Sequence, residues 1–199
     1  MALVLDLHGN TGSSEGQAVM RGGWMEFGYA RGILVAWPEG VGASWNAGNS
    51  WCGAAWATQA DDLGYLDSVI ATMKELQVVD DSKVYLAGHS CGCSMAQTYA
   101  LRRSSQVAAM GCHAGYLIPS IVGLNSTNFT PTPAWTVFGT SDTSSPYEAG
   151  AAQFGYIGAV ESLRKWRDAN ECTGNAVETW RSADDYAQSC ESHVIRTHA

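Results

Sequence analysis

The chain has 199 residues, enough for one domain with a sizeable core. Apolar residues make up 46% and charged residues 15%, a composition that fits a packed globular chain and excludes a disordered one. The formal net charge of −8 argues against nucleic acid or an anionic membrane surface as a partner.

No apolar run approaches the roughly 20 residues of a spanning helix. Met1 is followed by Ala-Leu-Val-Leu-Asp-Leu, with no basic stretch and no cleavage site, so the start reads as a strand and not as a signal peptide. The six cysteines are an even count, which fits disulfides and an oxidising compartment, although spacing does not give their pairing. There is no Cys-x-x-Cys pair, and the five histidines form no metal pattern. Neither a metal nor an organic cofactor is expected.

In chain order, residues 2–7 read as a buried strand and 8–12 as the loop after it. Ser13 or Ser14 can cap a helix running to about Tyr29, with an apolar stripe at Val19, Trp24 and Phe27. Residues 33–37 form the next strand, closed by Pro38 and Gly40. A long loop rich in Gly, Asn and Trp follows over residues 41–59, long enough to suspect function. Its three tryptophans, Trp45, Trp51 and Trp56, are expected to pack the loop onto the core more than to stack on a sugar or an aromatic acyl group. Asp61 then caps a helix to about Leu76, with Leu63, Leu66, Val69, Ile70 and Met73 on one face; Asp61 and Asp62 read as helix-start acids complementing the macrodipole.

Residues 84–87 are the strand before the most informative stretch, Gly88-His89-Ser90-Cys91-Gly92. An apolar strand, a Gly-x-Ser-x-Gly turn and a helix-compatible run ending near Ser104 are the context of a nucleophile elbow. The chemistry needs that turn. A serine hydroxyl attacks only when it stands clear of the backbone beside a base and N–H donors. Gly88 and Gly92 remove side chains where helix and strand nearly touch. Strands follow at 107–111 and 134–138, the second running into Gly139-Thr140-Ser141-Asp142. A helix over 156–170 and short strands at 177–180 and 193–197 complete the chain. Strands alternate with helices, so a mostly parallel sheet with helices on both faces is expected, and no linker or repeat divides residues 1–199 into more than one domain. Asn10, Ser90 and Asp142 each fall just past a strand's carboxyl end, where catalytic groups gather in such sheets.

Ser90, then Asp142 after a later strand, then a late histidine is the chain order of the α/β-hydrolase triad. The sequence also resembles the polyhydroxybutyrate depolymerase and feruloyl esterase group of α/β-hydrolases, in particular its LpqC-like esterase branch. The matching segments are Leu-Asp-Leu-His8-Gly9, Ser44-Trp45-Asn46-Ala47-Gly48 with Cys52-Gly53, Asp61-Asp62-Leu63-Gly64-Tyr65-Leu66, Val84 to Ser90, and Phe138 to Asp142 with Pro146-Tyr147. They keep the family's order over nearly the whole chain.

The resemblance implies a secreted serine esterase with Ser90 as nucleophile and Asp142 as triad acid. It implies backbone N–H groups of Asn10 and Cys91 as the oxyanion hole. Because both donations come from backbone, Cys is compatible with a position where relatives often carry Asn or Ala. Whether Cys91 is a free thiol or half of a disulfide stays open. It also suggests a disulfide between Cys172 and Cys190. Cys93 and Cys112 could be neighbours, which leaves Cys52 with Cys91. By the same resemblance His8 and His89 are structural, and His113 reads as a satisfied polar residue.

The family has strands before its His-Gly strand and carries its histidine on a Gly-rich turn after its last strand. This chain is therefore expected to be cut at both ends, with the triad histidine beyond Ala199 or, failing that, at His198. The implied partner is an ester substrate, possibly polymeric, and the protein is expected to be a monomer. A non-catalytic binding protein and a serine peptidase of the same fold are the alternatives, because fold does not fix function.

Overall fold

The computed structural model describes residues 1–20, 23–118, 129–145, 147, 157–174, 177–179 and 193–195. Five strands form one sheet: β1 (Ala2–Leu7), β2 (Ile33–Ala36), β3 (Val84–His89), β4 (Ala109–His113) and β5 (Ala134–Val137). Their order is β2-β1-β3-β4-β5, and every pairing is parallel. β1 lies inside the sheet and is buried along nearly its whole length, with Leu3, Leu5 and Leu7 fully enclosed. That explains its unbroken apolar run: a central parallel strand is covered on both faces. Two short strands, β6 (Val177–Thr179) and β7 (His193–Ile195), pair with each other.

Six helices are described: α1 (Ser14–Met20), α2 (Gly23–Arg31), α3 (Ala54–Ala57), α4 (Asp62–Leu76), α5 (Cys91–Arg102) and α6 (Ala159–Ala169). α5 is the central one. From Cys91 to Ala100 every residue is buried, and the helix packs against β1, β3 and β4. α4 has the expected inner face: Leu66 and Ile70 are buried, with Leu63, Val69 and Met73 packed against the same core. The Asp61 carboxylate accepts from the Gly64 N–H at 3.0 Å and so caps it. α4 and α5 are joined by Asp67, which accepts from the Tyr99 hydroxyl at 2.6 Å and from Arg103 Nε at 3.1 Å.

Several expectations are corrected. The helix expected to run to about Tyr29 is described over Ser14–Met20 and Gly23–Arg31, and its apolar stripe does not face the core: Val19 is 76% exposed and Phe27 43%. Contact with the sheet is made instead by Gln17, whose amide donates to Asp6 at 2.9 Å, and by Gly28, where a Cβ would meet the Ile33 carbonyl oxygen at 2.8 Å. A glycine and a buried amide leave no apolar periodicity to read. β3 and β4 run two residues past their expected ends, because their pairing continues through polar residues as far as His89 opposite His113. The expected strand at 107–111 begins only at Ala109. The expected helix over 156–170 spans Ala159–Ala169 among the described residues.

The tryptophan-rich loop is pinned to the core. Trp45 is fully buried and donates its indole N–H to the His8 carbonyl at 2.8 Å. Thr98 on α5 donates its hydroxyl to the Ala47 carbonyl at 2.9 Å. Two disulfides are present among the described residues, Cys52–Cys91 and Cys93–Cys112. In the chain-entropy account each contributes on the order of 3 kcal/mol. They fit an oxidising environment. Cys190 lies outside the described residues, and with it the implied Cys172–Cys190 bridge. No helix among the described residues is long and apolar enough to cross a membrane.

Candidate active site

Ser90 sits between the end of β3 and the start of α5, with φ 52° and ψ −120°. A non-glycine residue there costs on the order of 1–3 kcal/mol and persists only when its surroundings hold it. They do so from both sides: the Ser90 N–H donates to the His113 carbonyl at 3.0 Å, and the Ser90 carbonyl accepts from Ser94 N–H at 3.1 Å. The turn is as tight as its glycines require. A Cβ on Gly88 would meet the Gly92 backbone at 2.6 Å, and one on Gly92 would overlap the carbonyl oxygens of Leu7 and His8. β1, β3 and α5 therefore meet at backbone distance, which brings the loop after β1 next to Ser90.

That loop and Ser90 line one cleft of about 250 Å³, with His8, Gly9, Asn10, Gln17, Met20 and His89 among its walls. Cys91 is the first residue of α5, so its N–H has no acceptor within the helix and stands at the positive end of the helix dipole. Asn10 belongs to a peptide whose orientation is fixed from behind. His8 is 1% exposed. Its Nε2 faces the Gly40 N–H at 3.0 Å, and an N–H can only donate, so Nε2 accepts and the ring proton sits on Nδ1. Nδ1–H then donates to the Gly9 carbonyl at 2.8 Å, and the Gly12 N–H donates to the same oxygen at 3.0 Å. In a trans peptide C=O and N–H point opposite ways. Holding the Gly9 carbonyl from two sides thus aims the Asn10 N–H away from both donors.

Asp142 lies in the turn after β5. Its N–H donates to the Gly139 carbonyl at 3.2 Å, and its Oδ1 accepts from the Ser144 and Ser145 N–H groups at 2.8 Å each. The Ser145 hydroxyl donates to the Ala114 carbonyl at 2.7 Å, tying this turn to the end of β4. Burial, and after it the negative charge of Asp142, pushes the nearby Tyr116 hydroxyl up to about 12. His89 and His113 stack with ring centroids 4.6 Å apart, as their cross-strand pairing dictates. His198 lies outside the described residues.

No family model matches the sequence, and a search of curated proteins finds no match. Solved structures do match. The chain superposes on a phospholipase/carboxylesterase from Dyadobacter fermentans with a TM-score of 0.63 at 19% identity, covering 100% of this chain and 83% of that one. It superposes on esterase PE8 with a TM-score of 0.62 at 19% identity, covering 84% of this chain and 77% of that one. A thermostable esterase gives 0.63 at 18% identity, over 85% of this chain and 44% of that one, so the present chain matches less than half of that enzyme's length. The fold is an α/β-hydrolase fold.

Within that α/β-hydrolase framework, one feature escaped the sequence and a second was reached only by exclusion. The first is Asp62, a helix-start residue by pattern. It is 2% exposed and accepts from the Asn46 N–H at 2.5 Å, while the Asn46 amide donates to the Ala60 carbonyl at 2.9 Å. Burial pushes its carboxyl pKa up. Asp62 thus holds the tryptophan loop as well as starting a helix. The second is the Cys52–Cys91 bridge, which joins that loop to the residue after Ser90. The two cysteines are 39 positions apart, and their pairing was reachable in the sequence only by exclusion of the other four.

Proposed function

We propose that this protein is a secreted serine esterase. Ser90 Oγ attacks an ester carbonyl while a histidine C-terminal to Asp142, His198 or one beyond Ala199, takes its proton. Asp142 orients that imidazole and stabilises its cation. The N–H groups of Asn10 and Cys91 receive the negative charge that develops on the carbonyl oxygen. The protonated histidine returns the proton to the departing alcohol, and water releases the acyl group from Ser90. By the sequence resemblance, the substrates are feruloyl or acetyl esters of plant polysaccharide or polyhydroxyalkanoate esters.

The observation that carries this reading is the backbone of Ser90. A serine held in a strained turn, at the mouth of a cleft and at the start of a buried helix, has no packing reason to be there. The structural neighbours named as esterases agree with the reaction class, and the two disulfides agree with secretion. The test is hydrolysis of p-nitrophenyl acetate beside an amide of the same acyl group. Ester turnover that disappears in Ser90→Ala supports the reading. Preferred amide turnover would make the protein a peptidase, and no turnover of either would leave a binding protein on a hydrolase fold.

A further inference from the structure

One short segment of the tryptophan loop touches both residues assigned to the oxyanion hole. Cys52 is fully buried and is bonded to Cys91. The next residue, Gly53, lies against the other donor's side chain: a Cβ there would stand 2.8 Å from Asn10 Oδ1 and 3.0 Å from Ser44 Cβ. Gly53 has φ 98°, a backbone that favours glycine, so the close approach and the turn need the same residue. The segment is itself held. The Ser44 hydroxyl accepts from the Ala55 N–H at 2.8 Å and donates to the Val41 carbonyl at 2.9 Å, and the Ala43 carbonyl accepts from the Thr11 N–H at 2.8 Å. The loop after β1 is therefore bonded to the tryptophan loop on one side of Asn10, and α5 is bonded to it at Cys91.

We propose that Cys52 and Gly53 are positioning residues that fix the spacing between the Asn10 and Cys91 N–H groups, with the Cys52–Cys91 disulfide as a tie inside the oxyanion hole. The proposal rests on the reading of those two N–H groups as the oxyanion donors. The physical argument is the short range over which a hydrogen bond to a developing charge is effective. Donors must stand about 2.7–3.1 Å from the oxyanion, and removing one costs about 10²–10³ in kcat. Asn10 and Cys91 belong to different elements, a loop and a helix end. Independent movement of those elements would open the gap between them. The bridge at Cys91, and the Thr11 N–H bond to Ala43 with the close approach of Gly53 at Asn10, couple both elements to one loop, so the hole exists before substrate arrives.

The experiment uses the full chain with Cys52→Ala, Cys52→Ala/Cys91→Ala and Gly53→Ala. For each variant, kcat and KM for p-nitrophenyl acetate are measured with the {1H}-15N NOE of the amides at positions 10 and 91. Both cysteine variants should lower kcat at least tenfold with KM within threefold, and lower the NOE at both positions. A merely structural bridge would lower the melting temperature without that split. Gly53→Ala should give the same kcat loss with the disulfide intact, and it decides the matter if the cysteine variants do not fold. Folded variants with kcat within twofold of the parent, or with both amides as rigid as before, would overturn the proposal. A parent that hydrolyses no ester would remove the esterase reading instead, and the amide measurements would still decide whether the tie positions the two donors.

Discussion

Ser90 and Asp142 are fastened to adjacent residues at the end of one strand. The Ser90 N–H donates to the His113 carbonyl, and Ser145, whose N–H donates to Asp142, gives its hydroxyl to the Ala114 carbonyl. Ala114 in turn donates its N–H to Val137 at 2.8 Å, closing β4 onto β5. A parallel sheet presents successive strand ends at one edge. Here two consecutive residues, His113 at the end of β4 and Ala114 just after it, serve as the common anchor, so Ser90 and Asp142 share one reference frame although they are far apart in sequence.

Asp142→Asn should leave this frame standing, because an amide oxygen can still accept from Ser144 and Ser145. It should lower kcat by several orders of magnitude, about 10⁴ in the serine-protease precedent. Steady-state kinetics with a matched circular dichroism spectrum check it. A loss of less than about tenfold would assign the acid to another carboxylate.

His8 is expected to matter through the Gly9 carbonyl. In His8→Asn the side-chain amide stands where Nδ1 stood and can still donate. In His8→Phe that donor is lost; in both variants the buried Gly40 N–H loses its Nε2 acceptor, a shared cost of about 1–3 kcal/mol, so only the bond to the Gly9 carbonyl separates them. Phe should therefore lower kcat about tenfold or more with little change in KM, and Asn should restore most of it. Equal kcat in the two variants would separate His8 from the oxyanion peptide.

Asp62 gives a stability signature with a definite sign. Its carboxyl pKa is raised by burial, so between the ordinary carboxylate range and the raised value the folded state binds more protons than the unfolded state. Its ionisation thus lowers stability as pH rises through that window, and the penalty is complete above it. Asp62→Asn keeps an acceptor for the Asn46 N–H and removes the titration. The melting temperature of the variant relative to the parent should climb as pH rises from the ordinary carboxylate range through the raised value and then level off. A difference independent of pH would contradict the buried-carboxyl account.

How much of this was legible depended on the range of the interactions. β1 and β3 were readable because each is a compact apolar run closed by glycine, and α4 because its apolar spacing and its cap are local. The Ser90 turn was readable for the same reason: strand, glycine, serine, glycine and helix lie within a few residues of one another. The last residues of β3 and β4 were missed because His89 and His113 are polar, and pairing across strands leaves no mark in either strand alone. The α1–α2 region was misread because its contacts with the sheet are made by Gln17 and Gly28. The work of Asp62 and of Cys52 was hidden because each depends on a partner brought near only by the folded loop.

An activated serine hydroxyl, the role proposed for Ser90, can be trapped covalently. The most direct measurement is to treat the full-length protein with a fluorophosphonate and locate the adduct by peptide mass mapping. One phosphonylated residue is expected, Ser90, with no adduct in Ser90→Ala. An adduct on another residue, or labelling of Ser90→Ala equal to that of the parent, would contradict that role.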